Sequence, residues 1–470
     1  MIKNFLIEEL FSVHAMLLSM SSLYQTGNTI AAITTPPGEG AIAVIRISGP
    51  KAFEIAGALF SGPVQTYKSH TAHYGNILSQ EGKVLDSVLL LVMKNPHSYT
   101  GEDTVEISCH GGSLVTRRVL QRIFEAGAQP AKPGEFSFQA YMNGKLDLAQ
   151  AEAVQQLIAA KSELALESAE RQLQGALSET ISHYQKELTE TAAILEAWVD
   201  FPEEGLEFAT MEEIAQTLHA ICERMIKLQR TFHDGKALHE GLSLCLLGSP
   251  NVGKSSLMNA LLGKERAIVT EIAGTTRDLL EEDLRLGGLH FRLIDTAGIR
   301  DTQEIVEQEG IRRSQKAMQE ADLILLLLDA SRPLQPKDHE LLNTTPKEKT
   351  IVIWNKIDLA KPTLNIPSIQ ISVKEKIGFD TLRETIEKLI WKHGPPSKEE
   401  VVITRLRHHE ALTQAILSCQ AVIKGLREGI SAEFVASDMR NCLHELGKII
   451  GTNVTEDILT AIFSKFCLGK

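Results

Sequence analysis

Residues 248–255 read Gly-Ser-Pro-Asn-Val-Gly-Lys-Ser and match the G-x-x-x-x-G-K-S pattern of a phosphate-binding loop. The glycines let backbone N–H groups turn toward phosphates, Lys254 can reach the β- and γ-phosphates, and the Ser255 hydroxyl can bind Mg²⁺. The apolar run Leu242–Leu247 precedes this loop and a helical pattern follows it, which is the strand–loop–helix setting that the motif requires. The sequence therefore predicts a site for a nucleoside triphosphate.

A second pair of motifs predicts that the base is guanine. Asn355-Lys356-Ile357-Asp358 follows the apolar run Thr350–Trp354, and Asp358 is placed to accept hydrogen bonds from the guanine N1 and 2-amino groups. This acceptor selects GTP over ATP, because adenine has neither donor. Ser372-Val373-Lys374 resembles the loop that closes over guanine in such sites.

Two further segments supply the expected contacts to Mg²⁺ and the γ-phosphate. Asp295-Thr296-Ala297-Gly298 follows the run Phe291–Ile294, so Asp295 would hold Mg²⁺ through water and the Gly298 N–H would contact the γ-phosphate. In Gly274-Thr275-Thr276-Arg277-Asp278, Thr276 is assigned to join Ser255 on Mg²⁺ once the γ-phosphate orders the loop. The predicted GTP-binding residues are Asn251, Val252, Gly253, Lys254, Ser255, Ser256, Thr270, Glu271, Ile272, Ala273, Gly274, Thr275, Thr276, Asp295, Thr296, Ala297, Gly298, Asn355, Lys356, Asp358, Ser372, Val373 and Lys374.

Hydrolysis of GTP needs an oriented water and a cation over the developing charge. Many GTPases have glutamine directly after Asp-x-x-Gly, whereas this chain has Ile299 and Arg300 there. The acidic segment Glu304–Glu309 offers substitutes, although such a run is more often only a solvated loop. No arginine finger is evident from the sequence, and Arg277 is a candidate for that role.

Together with motifs elsewhere, these segments give the chain a resemblance to the MnmE (TrmE) family of tRNA-modification GTPases. The resemblance extends from about Thr29 to Lys470. The other matching segments are Pro36-Pro37-Gly38-Glu39-Gly40, Arg46-Ile47-Ser48-Gly49, Tyr99-Thr100-Gly101-Glu102-Asp103, His110-Gly111-Gly112, Pro133-Gly134-Glu135-Phe136, Asn143-Gly144-Lys145-Leu146-Asp147-Leu148, Asp200-Phe201-Pro202-Glu203-Glu204 and the terminal Phe466-Cys467-Leu468-Gly469-Lys470.

The resemblance implies a function as well as a fold. Members of the family act with MnmG (GidA), an FAD- and NADH-dependent partner, in a heterotetramer or larger complex. The pair adds an aminomethyl or carboxymethylaminomethyl group to C5 of the wobble uridine of certain tRNAs. The added carbon comes from 5-formyl- or methylene-tetrahydrofolate. The family is homodimeric through an amino-terminal folate-binding-like domain, and potassium activates its GTPase domains, which close across the dimer.

Roles of individual residues follow from the same resemblance. Potassium would be bound by four residues, a monovalent cation replacing the absent arginine finger: Asn251, Thr270, Ile272 and Thr275. Glu307 would match the catalytic glutamate that orients water. The folate would be contacted by Arg46, Glu106, Lys145 and Lys470; basic side chains suit its carboxylates and Glu106 suits the N–H donors of its ring.

Some positions depart from the family pattern or keep two interpretations. Gln139 stands where the family usually has arginine after Pro-Gly-Glu-Phe, which puts a basic contact there in doubt. Cys467 could take part in the modification chemistry or simply pack. His110, before two glycines, is left unassigned because a turn histidine at a strand end is as common as a catalytic one.

Composition restricts the class of protein. The net charge of −12 argues against a surface that holds nucleic acid by charge alone, so a partner is expected to help hold tRNA. The six cysteines form no C-x-x-C pair, which argues against zinc sites and disulfides and favours a reducing cytoplasm. No apolar run reaches the ~18 residues of a membrane span. Residues 1–24 fit neither a signal peptide nor a transit peptide, and Met20 could be the true start.

The elements that must position these motifs form a multidomain α/β and all-α chain. Strand and helix signals alternate over 28–143, long helical periodicity covers 147–238, and strand–loop–helix alternation returns over 241–395. The predicted domains are an extension (1–24), a folate-binding and dimerisation domain (25–145), helical parts (146–240 and 396–470) and an inserted Ras-like G domain with a doubly wound sheet (241–395). Two separate helical bundles are the alternative to one discontinuous helical domain.

Two other functions share part of these features. A switch GTPase for ribosome assembly would have the same GTP motifs but no use for a folate pocket at 28–145 and 466–470. A folate enzyme whose GTP domain only aids assembly is the third possibility.

Overall fold

The structure is a computed structural model that describes residues 24–200, 210–264, 283–286, 288–294, 316–391 and 400–470. The chain divides into two compact units. The first comprises residues up to Gln155 together with His444–Lys470, and the second comprises Gln156–Leu443.

The first unit is built on a mixed six-stranded sheet with the strand order β3-β4-β5-β2-β1-β6. Its strands are antiparallel except for the parallel pair of β1 and β6. The strands are β1 Ile30–Ile33, β2 Ile42–Ser48, β3 Thr71–Leu78, β4 Val84–Met93, β5 Thr104–His110 and β6 Gln129–Pro130. The helices of this part are α1 Ala52–Leu59, α2 Ser113–Glu125, α3 Glu135–Met142 and α4 Leu148–Ala159, the last of which crosses the unit boundary.

Alternation along these strands gives the sheet two different faces. Ile45, Leu90 and Ile107 are fully buried and form one core with apolar residues of α1 and α2. The opposite face carries residues one position away, including Arg46 and Glu106, which are register partners on β2 and β5.

An aromatic cluster holds the carboxyl terminus of the chain to the first unit. Phe463, at the end of α14 (Glu456–Phe463), is fully buried and packs edge-on against Phe138 of α3, with ring centroids 5.5 Å apart. Gly134 has φ +70°, and a Cβ there would lie 2.3 Å from the Phe463 carbonyl oxygen. This close approach requires glycine and brings the terminal Cys467–Lys470 turn to the start of α3.

The helices that precede and follow the second α/β segment in the chain pack against each other. Gln229 of α7 (Met211–Arg230) donates to the Thr413 hydroxyl of α12 (Leu406–Glu428) at 2.7 Å. Helix α7 begins with a capping box between Thr210 and Glu213. The helices here are α5 Glu163–Leu173, α6 Ala176–Asp200, α7 Met211–Arg230, α8 Phe232–Glu240, α12 Leu406–Glu428 and α13 Ala432–Ile450. None of the described helices combines the length and apolarity that crossing a bilayer requires.

The nucleotide-motif segment forms a second six-stranded sheet, in the order β12-β11-β10-β7-β9-β8, parallel except for β8. Strands β7 and β10 bury apolar side chains on both faces, as central parallel strands do. The strands are β7 Leu242–Leu247, β8 Asp283–Leu286, β9 Leu289–Ile294, β10 Leu323–Asp329, β11 Thr350–Asn355 and β12 Ile369–Gln370. Its helices are α9 Lys254–Lys264, α10 Pro336–Thr344 and α11 Phe379–Ile390.

Candidate functional site

The phosphate-loop motif lies between β7 and α9 and has the backbone that its glycines predict. Gly248 has φ +148°, and a Cβ there would lie 2.5 Å from the Leu327 carbonyl oxygen. Gly253 has φ +102°, and a Cβ there would lie 2.4 Å from Nδ2 of Asn355. A side chain at either position would collide with β10 or β11, so the loop can pass this close to the two strands only with glycine there. We call this glycine-bounded loop the cradle.

Lys254 is folded over this cradle. Its Nζ donates to the carbonyl oxygens of Gly248 at 2.8 Å and Ser249 at 3.0 Å. Lys254 is also the first residue of α9, with Ser255 and Ser256 beside it, so the amide groups of the helix start lie at the same place. A cation and a helix amino terminus together can bind phosphate groups.

The guanine motif meets the same loop from the end of β11. Asn355 donates from Nδ2 to the Val252 carbonyl oxygen at 2.9 Å and accepts from the Val373 N–H at 3.2 Å. Lys356, at φ +63°, donates to the Asn251 carbonyl oxygen at 3.0 Å. These side chains therefore connect the phosphate loop with the segment at 372–374.

Asp358 is oriented by the neighbouring loop. The Ser372 hydroxyl donates to its Oδ1 at 2.6 Å, and Ser372 in turn accepts from the Glu375 N–H at 3.2 Å. A carboxylate has acceptor capacity for several donors, so an oriented Asp358 can also accept the paired N–H donors of a guanine edge. The side chain of Lys374 is exposed and lies 3.8 Å from Glu375.

Asp329 is a component of this site that the motifs did not predict. It ends the apolar strand β10, is 4% exposed and accepts from Nζ of Lys356 at 2.6 Å. Burial disfavours ionisation of Asp329, but hydrogen bonds from Lys356 and Ser331 outweigh it and hold the pKa of Asp329 below its ordinary value. The only signal in the sequence is an acidic residue directly after a buried strand.

Part of the predicted set lies outside the described residues. The structure brings together the members from Asn251 to Ser256 with Asn355, Lys356, Asp358 and the segment at 372–374. The predicted residues that lie outside the described ranges are Thr270, Glu271, Ile272, Ala273, Gly274, Thr275, Thr276, Asp295, Thr296, Ala297, Gly298 and Glu307. Within the described ranges no three acidic, histidine or cysteine side chains cluster as metal ligands would.

A second group of predicted residues meets on the face of the first sheet that carries Arg46 and Glu106, opposite the core of Ile45, Leu90 and Ile107. Arg46 pairs with Glu106 at 2.8 Å, and its guanidinium lies over the rings of Tyr99 (5.3 Å) and Phe136 (5.4 Å). Nζ of Lys470 lies 5.7 Å from the Tyr99 ring centre. Burial and the adjacent Arg46 lower the pKa of Lys470 against the opposing effect of Glu106. The sequence analysis did not predict Tyr99 and Phe136 as site residues, although both lie in segments that resemble the family.

Buried polar atoms at this second site lack partners within the described chain. Nη1 of Arg46 is one of them, and on α3, the helix that carries Phe136, both amide atoms of Gln139 are also buried without a partner. Gln139 is 1% exposed and follows Phe136 by three residues on α3, so both residues lie on the same side of that helix. Unsatisfied polar groups in such a place fit a polar ligand that supplies the missing hydrogen bonds.

Two other predicted residues lie near this group without joining it. Nζ of Lys145 donates to the Pro96 carbonyl oxygen at 3.1 Å, on the loop that also carries Tyr99. The Cys467 side chain is exposed, and its carbonyl oxygen accepts from the Lys470 N–H at 3.3 Å in the terminal turn.

Comparison with known proteins covers nearly the whole chain. A family model described as the MnmE helical domain matches residues 148–467, and one described as the GTP-binding protein TrmE N-terminus matches residues 29–145. A tRNA modification GTPase MnmE of Protochlamydia amoebophila (strain UWE25) is 62% identical over 451 residues, which cover 95% of this chain and 98% of the relative. The protein of that name from Clostridioides difficile (strain 630) is 41% identical over 94% of this chain and 99% of its own.

The Asp329–Lys356 pair should make the stability of the nucleotide-binding segment depend on pH. Because the pKa of Asp329 is lowered by folding, its stabilising effect is complete above the ordinary pKa of 3.8 and is lost as pH falls through the lower folded value. Asp329→Asn should lower the free energy of unfolding near pH 7 by roughly 1–3 kcal/mol. The difference from the unsubstituted protein should shrink at acid pH in denaturant titrations.

Asp380→Asn is the matched control, since Asp380 has a 91% exposed side chain and lies in the same segment. An Asp329→Asn deficit that stays as large as at neutral pH while the pH falls through the lowered pKa of Asp329 would contradict the assignment of this ion pair.

Proposed function

Because the chain belongs to the MnmE family of tRNA modification GTPases, we propose that it is a potassium-activated GTPase that modifies tRNA with the flavoprotein MnmG (GidA). It is a GTP hydrolase that acts in tRNA modification. In the proposed reaction a folate one-carbon unit supplies the carbon of an aminomethyl or carboxymethylaminomethyl group at C5 of the wobble uridine. GTP hydrolysis drives closure of the G domains.

One observation carries the proposal: a guanine-type nucleotide site and a polar, aromatic-lined site occur in one chain. A ribosome-assembly switch would use the first but not the second. The family matches at 29–145 and 148–467 also favour tRNA modification over that alternative. A cytoplasmic location agrees with five buried and one exposed free cysteine among the described residues.

For GTP, the glycine cradle and Lys254 would hold the phosphates and Asp358 would select guanine. Ser255 and Thr276 would bind Mg²⁺, which neutralises phosphate charge when bound. Asn251, Thr270, Ile272 and Thr275 would bind K⁺. Glu307 would orient the attacking water. The loop backbone supports this assignment, because Gly253 has φ +102° and a Cβ there would lie 2.4 Å from Nδ2 of Asn355.

For the folate, Arg46 and Lys470 would bind carboxylates and Glu106 would accept from ring N–H groups. The orphaned Nη1 of Arg46 supports such a ligand. Lys145 would approach from the Pro96 loop. The exposed Cys467 is available to take part in the modification chemistry, whose carbon the folate would supply.

A homodimer is supported by exposed apolar side chains on the face of the first sheet that also carries Arg46 and Glu106. Tyr74 is 77% exposed and its register partner Leu89 is 51% exposed. Ile42 at the start of β2 is 63% exposed. A second copy of the chain would remove this apolar surface from water, which favours association.

The function is tested by nucleoside analysis of tRNA from cells that lack the gene. The C5-modified wobble uridine should be absent, and the intact gene should restore it. Asp358→Asn should not restore it, because an amide cannot accept both guanine donors and GTP binding weakens. Asp380→Asn, which changes a 91% exposed side chain of the same segment, is the control that should restore modification. Unchanged wobble uridine in the deletion strain would refute the proposed function.

Potassium activation is tested by replacing K⁺ with Na⁺ at equal ionic strength during GTP hydrolysis. The rate should fall by about 100-fold, because a cation that stabilises transition-state charge no longer fits its ligands. Asn251→Ala should be slow in both salts. Equal rates of the unsubstituted protein in K⁺ and Na⁺ would remove the potassium assignment.

The folate site is tested by calorimetric titration with 5-formyl-tetrahydrofolate. Arg46→Met should reduce affinity at least about tenfold, because one charge-assisted hydrogen bond is lost and Glu106 keeps no cation. Lys83→Met removes an exposed lysine from the same unit and should bind normally. Unimpaired binding by Arg46→Met would exclude Arg46 from the site, provided that circular dichroism and thermal melting show both variants to be folded like the unsubstituted protein.

A further inference from the structure

A buried serine–carboxylate contact supports the phosphate loop from outside its motif. The Ser249 hydroxyl, in the second position of the loop, donates to Oδ1 of Asp338 at 2.5 Å. Ser249 is 0% exposed and Asp338 is 1% exposed. Asp338 lies on α10, 89 residues further along the chain, and the nucleotide motifs give it no role.

The two oxygens of Asp338 have different partners. Oδ2 accepts from the Gln335 N–H at 2.9 Å and so caps the start of its own helix α10. Oδ1 is the atom that binds Ser249. A carboxylate that served only as a helix cap would not need the second contact, so the two roles can be separated by changing Ser249 alone.

The hydrogen bond to Asp338 holds Ser249 in place and so determines where the backbone carbonyl of Ser249 lies in the phosphate loop. The carbonyl oxygen of Ser249 accepts from Nζ of Lys254 at 3.0 Å, beside the Gly248 carbonyl at 2.8 Å. Fixing the Ser249 side chain therefore fixes the backbone that Lys254 contacts. We propose that Asp338 is a positioning residue of the phosphate loop, acting through Ser249 on the Lys254 end of the site; this rests on the proposed binding of GTP there.

A line of ion pairs extends from Asp338 toward the guanine motif. Arg332 lies 3.6 Å from Asp338 and 3.7 Å from Asp329, and Asp329 in turn pairs with Lys356 at 2.6 Å. Lys356 donates to the Asn251 carbonyl oxygen. The phosphate loop is thus held at its second and fourth residues by the two ends of the same charge network.

The test compares Ser249→Ala, Asp338→Ala and the double variant in steady-state GTP hydrolysis. Ser249→Ala should raise KM for GTP roughly tenfold, because a buried carboxylate oxygen loses its donor and the loop its anchor, while kcat changes little. Asp338→Ala should raise KM at least as much, because alanine has no acceptor for the Ser249 hydroxyl. The double variant should be no worse than Asp338→Ala, since each change already removes the same hydrogen bond. Glu340→Gln, which neutralises an exposed carboxylate on α10, should behave as the unsubstituted protein.

Melting temperatures separate positioning from stability. Partial unfolding lowers the active fraction and hence the apparent kcat, but leaves KM for GTP unchanged. A KM within twofold of the original in Ser249→Ala would overturn the proposal, whatever the change in melting temperature. Independent, additive effects of the two substitutions would also overturn it. Absence of GTP hydrolysis by the unsubstituted protein would instead contradict the proposed function and leave no KM to compare.

Discussion

The nucleotide site depends on the satisfaction of backbone carbonyl oxygens in a loop that has no regular secondary structure. Side chains from distant segments reach these oxygens: Asn355 binds that of Val252 and Lys356 that of Asn251. The Val252 carbonyl oxygen is buried, and a buried polar group is costly when unpaired, so this part of the loop is stabilised by the Asn355 side chain that β11 presents. The guanine motif is therefore also the structural support of the phosphate loop.

In the first unit, packing of the chain rather than hydrogen bonding holds distant residues together. There Lys470 lies beside Tyr99, although the two residues are separated by most of the chain. Phe463 is buried among aromatic rings, and Gly469 at φ +91° lets the terminal turn approach the Ile33 carbonyl oxygen. Burial of the aromatic cluster thus offsets the entropy of ordering a chain terminus, which otherwise tends to fray.

Sequence motifs predicted much of this arrangement because they combine residue type with local setting. Leu242–Leu247 was predicted as the strand before the phosphate loop, with the bounds that the structure has. Strand β3 and helix α1 were not predicted, since their short segments carry no chemistry-bearing motif. Asp329 and Asp338 could not be predicted either, because their roles depend on contacts with residues 27 and 89 positions away.

Two buried carboxylates beside an anion-binding loop would seem to oppose phosphate binding. Two cations compensate them: Lys356 pairs with Asp329, and Arg332 lies 3.6 Å from Asp338 and 3.7 Å from Asp329. The four charges of this set sum to zero, so the set orders the loop with little long-range repulsion of phosphate. Lys254 and the start of α9 then provide the attraction for phosphate. Rigidity and attraction thus come from different residues, and a substitution in the neutral set should change the geometry of the loop more than its charge.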